Sequence, residues 1–140
     1  MNGYDWDQCQ GYVRHMDEQH KRLNEELRRL HDELQAGVPR AAMLDDLEAM
    51  RRDLAAHFRE EEDGGCLEEA VCRCPSLAHE VRMIESEHRD LLAQLDAMIA
   101  RQQAGTIASS DIERFAAALD RHEAAEDHVV QHGFNVAVDA

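Results

Sequence analysis

In the segment AAHFREEED, residues 55–63, His57 stands four positions ahead of Glu61; in RHEAAEDHV, residues 121–129, His122 stands four positions ahead of Glu126. On a helix, residues i and i+4 share one face about one turn apart. An imidazole and a carboxylate placed this way offer a nitrogen and an oxygen to the same region of space. Two further histidines open similar stretches, in QHKRLNEEL (19–27) and EHRDLLAQL (87–95). The chain therefore repeats one pattern: His20, then His57-x-x-x-Glu61; His88, then His122-x-x-x-Glu126. The two spans, 37 and 34 residues, match closely enough for two related helical hairpins.

The elements that would carry these residues are marked by their ends. QAGVPRA (35–41) holds a glycine and a proline that stop one helix and start another. DGGCLEEAVCRCPS (63–76) holds a glycine pair, three cysteines and Pro75, and reads as a connection. QAGTIASSD (103–111) ends a helix at Gly105 and offers Ser109 or Ser110 as the next N-cap. Four helical segments remain, near 7–35, 40–62, 76–104 and 110–132. Short links between long helices make neighbours antiparallel, so the expected fold is all-α, an up-down-up-down four-helix bundle in a single domain over 1–140.

Each segment carries an apolar stripe at steps of three and four. The first runs through Val13, Met16, His20, Leu23, Leu27, Leu30 and Leu34; the second through Leu47, Met50, Leu54, His57 and Glu61. The third runs through Leu77, Val81, Ile84, His88, Leu91, Leu95 and Met98; the fourth through Ile112, Phe115, Leu119, His122, Glu126 and Val129. One histidine thus points inward from every helix, and two are followed by an inward carboxylate. His15, His31, His79 and His128 fall between stripe positions, and His132 sits near a stripe's end; these read as solvated or flanking side chains.

Two carboxylates buried at one level with four imidazoles are costly unless something offsets their charge. A hydrogen-bonded His–Glu core is one solution; divalent or trivalent metal ions are the more direct one. With both carboxylates bridging and the histidines divided two and two, each of two ions has four protein ligands. An oxo or hydroxo bridge makes five and leaves a position for a diatomic or peroxide. Imidazole with carboxylate suits iron, with manganese or zinc as competitors.

The ordered set His, His-x-x-x-Glu, His, His-x-x-x-Glu resembles the hemerythrin-like family, in its HHE cation-binding branch, over nearly the whole chain. The resemblance implies a non-haem di-iron centre with His20, His57, His88 and His122 as terminal ligands and Glu61 and Glu126 as bridges. The chain departs from the oxygen-carrying members at the third helix, where Ile84 and Leu92 stand in place of a second histidine. Those members use His-x-x-x-x-Asp on the last helix, and Asp127 meets that spacing, so Glu126 and Asp127 both stand as bridge candidates, with the stripe favouring Glu126. A ferritin-like site would need paired Glu-x-x-His motifs, and only Glu85–His88 fits.

Three function classes follow: binding or sensing of O2, peroxide or NO in a stress response; an enzyme-like role in peroxide or NO turnover or iron–sulfur cluster repair; and plain metal binding or iron handling. A net charge of −15 argues against a nucleic-acid partner. The absence of a long apolar run and of a signal-peptide pattern points to a cytoplasmic protein away from the membrane. Among the four cysteines, Cys72-Arg-Cys74 cannot easily close on itself, so Cys9 or Cys66 is the expected partner of Cys72 or Cys74 in a redox-sensitive pair or soft-metal site.

Overall fold

The computed structural model describes the backbone of residues 6–134 and the side chains of residues 10–134. Four long helices form the bundle: α1 (Trp6–Ala36), α2 (Arg40–Asp63), α4 (Ala78–Ala104) and α5 (Ser109–Phe134). A short helix, α3 (Cys66–Arg73), and a 3-10 turn (Pro75–Leu77) lie between α2 and α4. Around the bundle the order is α1, α2, α4, α5 and back to α1, each packed on the next. The fold is therefore the all-α four-helix bundle that the stripes imply.

The hairpin turns close as their glycines dictate. Gly37 and Gly105 adopt left-handed conformations (φ +74° and +73°), which reverse the chain directly after α1 and α4. The start of α5 differs from expectation. Ser109 already lies within the helix, and Asp111 reaches back to accept the backbone N–H of Ala108 at 2.9 Å. That is the returning half of a capping box, supplied by an aspartate. Asp111 is also held by Arg114 (2.6 Å) and Arg101 (3.2 Å), which tie the α4–α5 turn together.

The stretch read as a plain connection contains α3. Glu68 and Glu69 occupy its first turn and Arg73 its last, complementing the helix dipole, with a 3.0 Å Arg73–Glu69 ion pair one turn apart. Its inner face buries Cys66, Leu67 and Ala70. It lies so close to α5 that a Cβ on Gly133 would stand 2.4 Å from the Ala70 Cβ.

The interior has two apolar clusters. The larger joins Leu23, Leu27 and Leu30 to Met43–Phe58 of α2, Leu91–Met98 of α4 and Ile112–Leu119 of α5. The smaller joins Leu67 and Ala70 of α3 to Leu77, Val81 and Ile84 and to Val129 and Val130. Between them lies a polar layer containing His20, His57, Glu61, His88, His122 and Glu126, all buried.

Candidate metal centre

The four stripes bring the six inward residues into one layer, one ring from each long helix and one carboxylate from each of α2 and α5. Glu61 stands at the centre. Its Oε2 faces the first pair of rings, 3.3 Å from His57 Nε2 and 3.8 Å from His20 Nε2. Its Oε1 faces the second pair, 3.2 Å from His88 Nε2 and 3.9 Å from His122 Nε2. Glu126 Oε1 lies 3.0 Å from His122 Nε2. Two overlapping donor groups result: His20, His57, Glu61 and Glu126; and Glu61, His88, His122 and Glu126, with one ligand atom per residue lying within 4.8 Å of the others in each group.

The outer nitrogens show which way the rings are poised. His57 Nδ1 donates to Gln19 Oε1 (2.6 Å), His88 Nδ1 to Glu62 Oε2 (2.7 Å) and His122 Nδ1 to Glu87 Oε1 (2.9 Å). His20 Nδ1 faces Glu123 Oε2 at 3.4 Å. An acceptor at Nδ1 holds the proton there and leaves the Nε2 lone pair pointing inward, the tautomer a metal ligand needs. These braces run around the bundle in one direction: α1 braces α2, α2 braces α4, α4 braces α5, and α5 braces α1.

None of the four bracing residues is evident from the stripes. Each is the immediate sequence neighbour of an inward residue, and that adjacency is the signal that could have found them. Phe58, the residue after His57, is a second addition: its ring stacks on His88 at 4.1 Å and 11°. Asp127 is exposed and belongs to neither donor group, which leaves Glu126 as the inward carboxylate of α5.

Electrostatics follow this arrangement. Burial opposes ionisation of Glu61, but the surrounding imidazoles of His122, His20, His57 and His88 outweigh it and hold the carboxyl well below its ordinary range. Burial disfavours charge on His20 and His88, yet Glu61 with Glu123, and Glu61 with Glu62, raise their pKa values. Burial pushes Glu123 up to about 7.

The donor set fits a metal. Both oxygens of Glu61, Oε1 of Glu126, and Nε2 of His88 and His122 are buried without a hydrogen-bond partner. Buried polar atoms rarely stay unpaired without a ligand to satisfy them. On the other side, His20 Nε2 and His57 Nε2 face each other at 3.0 Å. That is about the separation of two nitrogens at right angles on one ion with bonds of about 2.1 Å.

The remaining histidines sit elsewhere. His15 is exposed and pairs with Glu60 (2.8 Å), His31 lies 3.5 Å from Glu113, and the exposed rings of His128 and His132 lie tilted against each other, 4.5 Å apart. The expected cysteine partners are not the ones found: Cys66 is disulfide-bonded, whereas Cys72 and Cys74 are free thiols, so neither pairs with Cys66. The physical reason is α3, which buries Cys66 on its inner face and leaves Cys72 exposed on the other. Cys9 lies outside the residues whose side chains are described. No helix among the described residues is long and apolar enough to cross a membrane.

No curated protein and no solved structure matches the chain. Residues 12–132 match the hemerythrin HHE cation binding domain, a span that holds all four helices' inward rings and both carboxylates. The chain belongs to the hemerythrin HHE cation-binding family, and the buried His/Glu layer fits the cation site of such a domain.

Proposed function

We propose that His20, His57, His88, His122, Glu61 and Glu126 hold two iron ions, and that the centre binds a small oxidant or diatomic (O2, peroxide or NO) in oxidative or nitrosative stress response or sensing. The observation that carries the reading is the sharing of Glu61 and Glu126 between both donor groups. Two rings and two shared carboxylates per ion make a mixed nitrogen–oxygen set that suits iron. Bound iron would supply reversible electron transfer to a small ligand. The chain's own part is to fix the rings through Gln19, Glu62, Glu87 and Glu123, and to exclude bulk water with the apolar clusters on either side.

Metal analysis after anaerobic ferrous loading tests the reading. The expected result is two irons per chain, strongly reduced in His88→Ala and unchanged in His31→Ala. A wild-type protein that takes up no iron overturns it, as does an equal loss in the two variants.

A further inference from the structure

The short helix α3 packs chiefly on α5, and a gap stays open between it and α4. A cavity of about 470 Å³, open to solvent, fills that gap between α2, α3 and α4. On its walls stand Glu68 and Cys72, one turn apart on α3, and Arg82 and Glu85, one turn apart on α4. All four are exposed. The inner end is Glu61, only 1% exposed, with both carboxylate oxygens lacking a hydrogen-bond partner. Glu62 belongs to both places. Its Oε2 accepts from His88 Nδ1 at 2.7 Å, while its side chain, 44% exposed, forms part of the cavity wall.

We infer that this cavity is the route by which a divalent cation enters the metal layer, passing Glu68, Glu85 and Glu62 on its way to Glu61. The inference rests on the two-iron reading and adds to it a path and the residues that make the path. Size favours this opening over the others. A ferrous ion arrives carrying water, and each water occupies about 30 Å³. The space between α2, α3 and α4 holds such an ion with most of its shell, whereas the opening beside Tyr12 and His20, of about 20 Å³, holds about one water. Two other cavities, of about 110 and 120 Å³, each reach a single ring, His57 or His122, and no carboxylate of the layer. Charge acts in the same direction. Four carboxylates line the route against one guanidinium, so the field draws a cation inward. Exposed acids alone do not make a route. A cavity of about 480 Å³ between α1 and α5 carries Glu113 and Asp120, yet no residue of the metal layer lines it. The ions' own charge limits the process: as they offset Glu61 and Glu126, the pull on a further cation falls, so entry is fastest into the empty layer.

The rate of loading tests the route separately from the site. Metal-free protein is mixed anaerobically with ferrous ion, samples are quenched with a ferrous chelator, and the iron retained is followed against time. The double variant Glu68→Gln, Glu85→Gln is expected to load about tenfold more slowly than wild type. It should reach the same final content, because neither acid belongs to a donor group. Arg82→Gln should load several-fold faster. The control pair Glu113→Gln, Asp120→Asn removes as much charge away from the route and should keep the wild-type rate. These differences should shrink in about 1 M salt, where the Debye length is about 3 Å. Cys72 allows the passage to be obstructed directly. In a Cys74→Ser background, N-ethylmaleimide placed on Cys72, its position checked by mass, should slow loading at both low and high salt. Unslowed loading of the alkylated protein overturns the route, as do equal rates in the charge variants or equal slowing by the control pair. A lower final content in Glu68→Gln, Glu85→Gln also overturns it, since the acids would then be ligands. If wild type takes up no iron at all, it is the two-iron reading that fails.

Discussion

Glu61 gives one oxygen to each pair of rings, so its truncation removes a donor from both groups at once. Glu61→Ala and Glu126→Ala should each drop iron content to one ion per chain or fewer. Asp127→Ala, which alters an exposed residue outside both groups, should leave two. Metal analysis beside circular dichroism, to confirm folding, reads both; the opposite ranking would transfer the bridge to Asp127. The meeting of the six residues was legible because burial at steps of three and four leaves little choice of inward side chain. Gln19, Glu62, Glu87 and Glu123 were not legible, since a polar residue beside a stripe looks the same whether it is solvated or reaches across to the next helix. Phe58 escaped for the same reason, as it stands one place beyond the stripe and still buries fully against the rings.

Along the seam between α1 and α2, acids meet acids. Burial, together with a hydrogen bond to Asp53 and its charge, pushes the Glu26 carboxyl from 4.5 up to about 7. A carboxyl with a higher pKa when folded binds more protons in the native state. Stability therefore falls as pH rises from about 4.5 through about 7, and is greatest at the acid end of that window. Glu26→Gln should keep the hydrogen bond without the charge. The metal-free variant should thus lose part of the decline in Tm between pH 5 and pH 8 that wild type shows; parallel decline in both would rule out this pair as its source. Glu26 also lines a surface cavity with Asp53 and His57. At this scale the long helices were legible from their caps and stripes, and their ends agree within two residues. The short helix α3 was hidden between Gly64-Gly65 and Pro75, where breakers at both ends mask an eight-residue amphipathic turn. That single omission also misled the cysteine pairing, because the orientation of α3 decides which thiols can meet.

Taken whole, the molecule is two hairpins that cannot serve themselves. The first supplies His20, His57 and Glu61, the second His88, His122 and Glu126, yet each donor group draws a carboxylate from the opposite hairpin. Two of the four braces cross the same boundary: Glu62 holds His88, and Glu123 faces His20. The larger apolar cluster likewise takes side chains from all four long helices. Interleaving of this kind couples the metal layer to the closing of the bundle, so iron binding and folding should reinforce each other.

Internal symmetry usually invites the thought that one repeat once worked alone, as a homodimer of hairpins. A twofold pairing of one hairpin would supply the rings and crossed carboxylates of both donor groups. In the present chain the halves have diverged: Phe58 stacks on His88, whereas the residue at the equivalent place after His122 is Glu123, turned toward His20. A chain severed between Cys74 and Pro75 should therefore show complementation without self-sufficiency. Co-expressed halves should co-purify and carry two irons, while either half alone should carry none, and two copies of one half should fail to substitute for the pair. Metal analysis and sizing chromatography of the separate and mixed fragments check this, and an iron-loaded homodimer of either half would show that the divergence has not closed the older route.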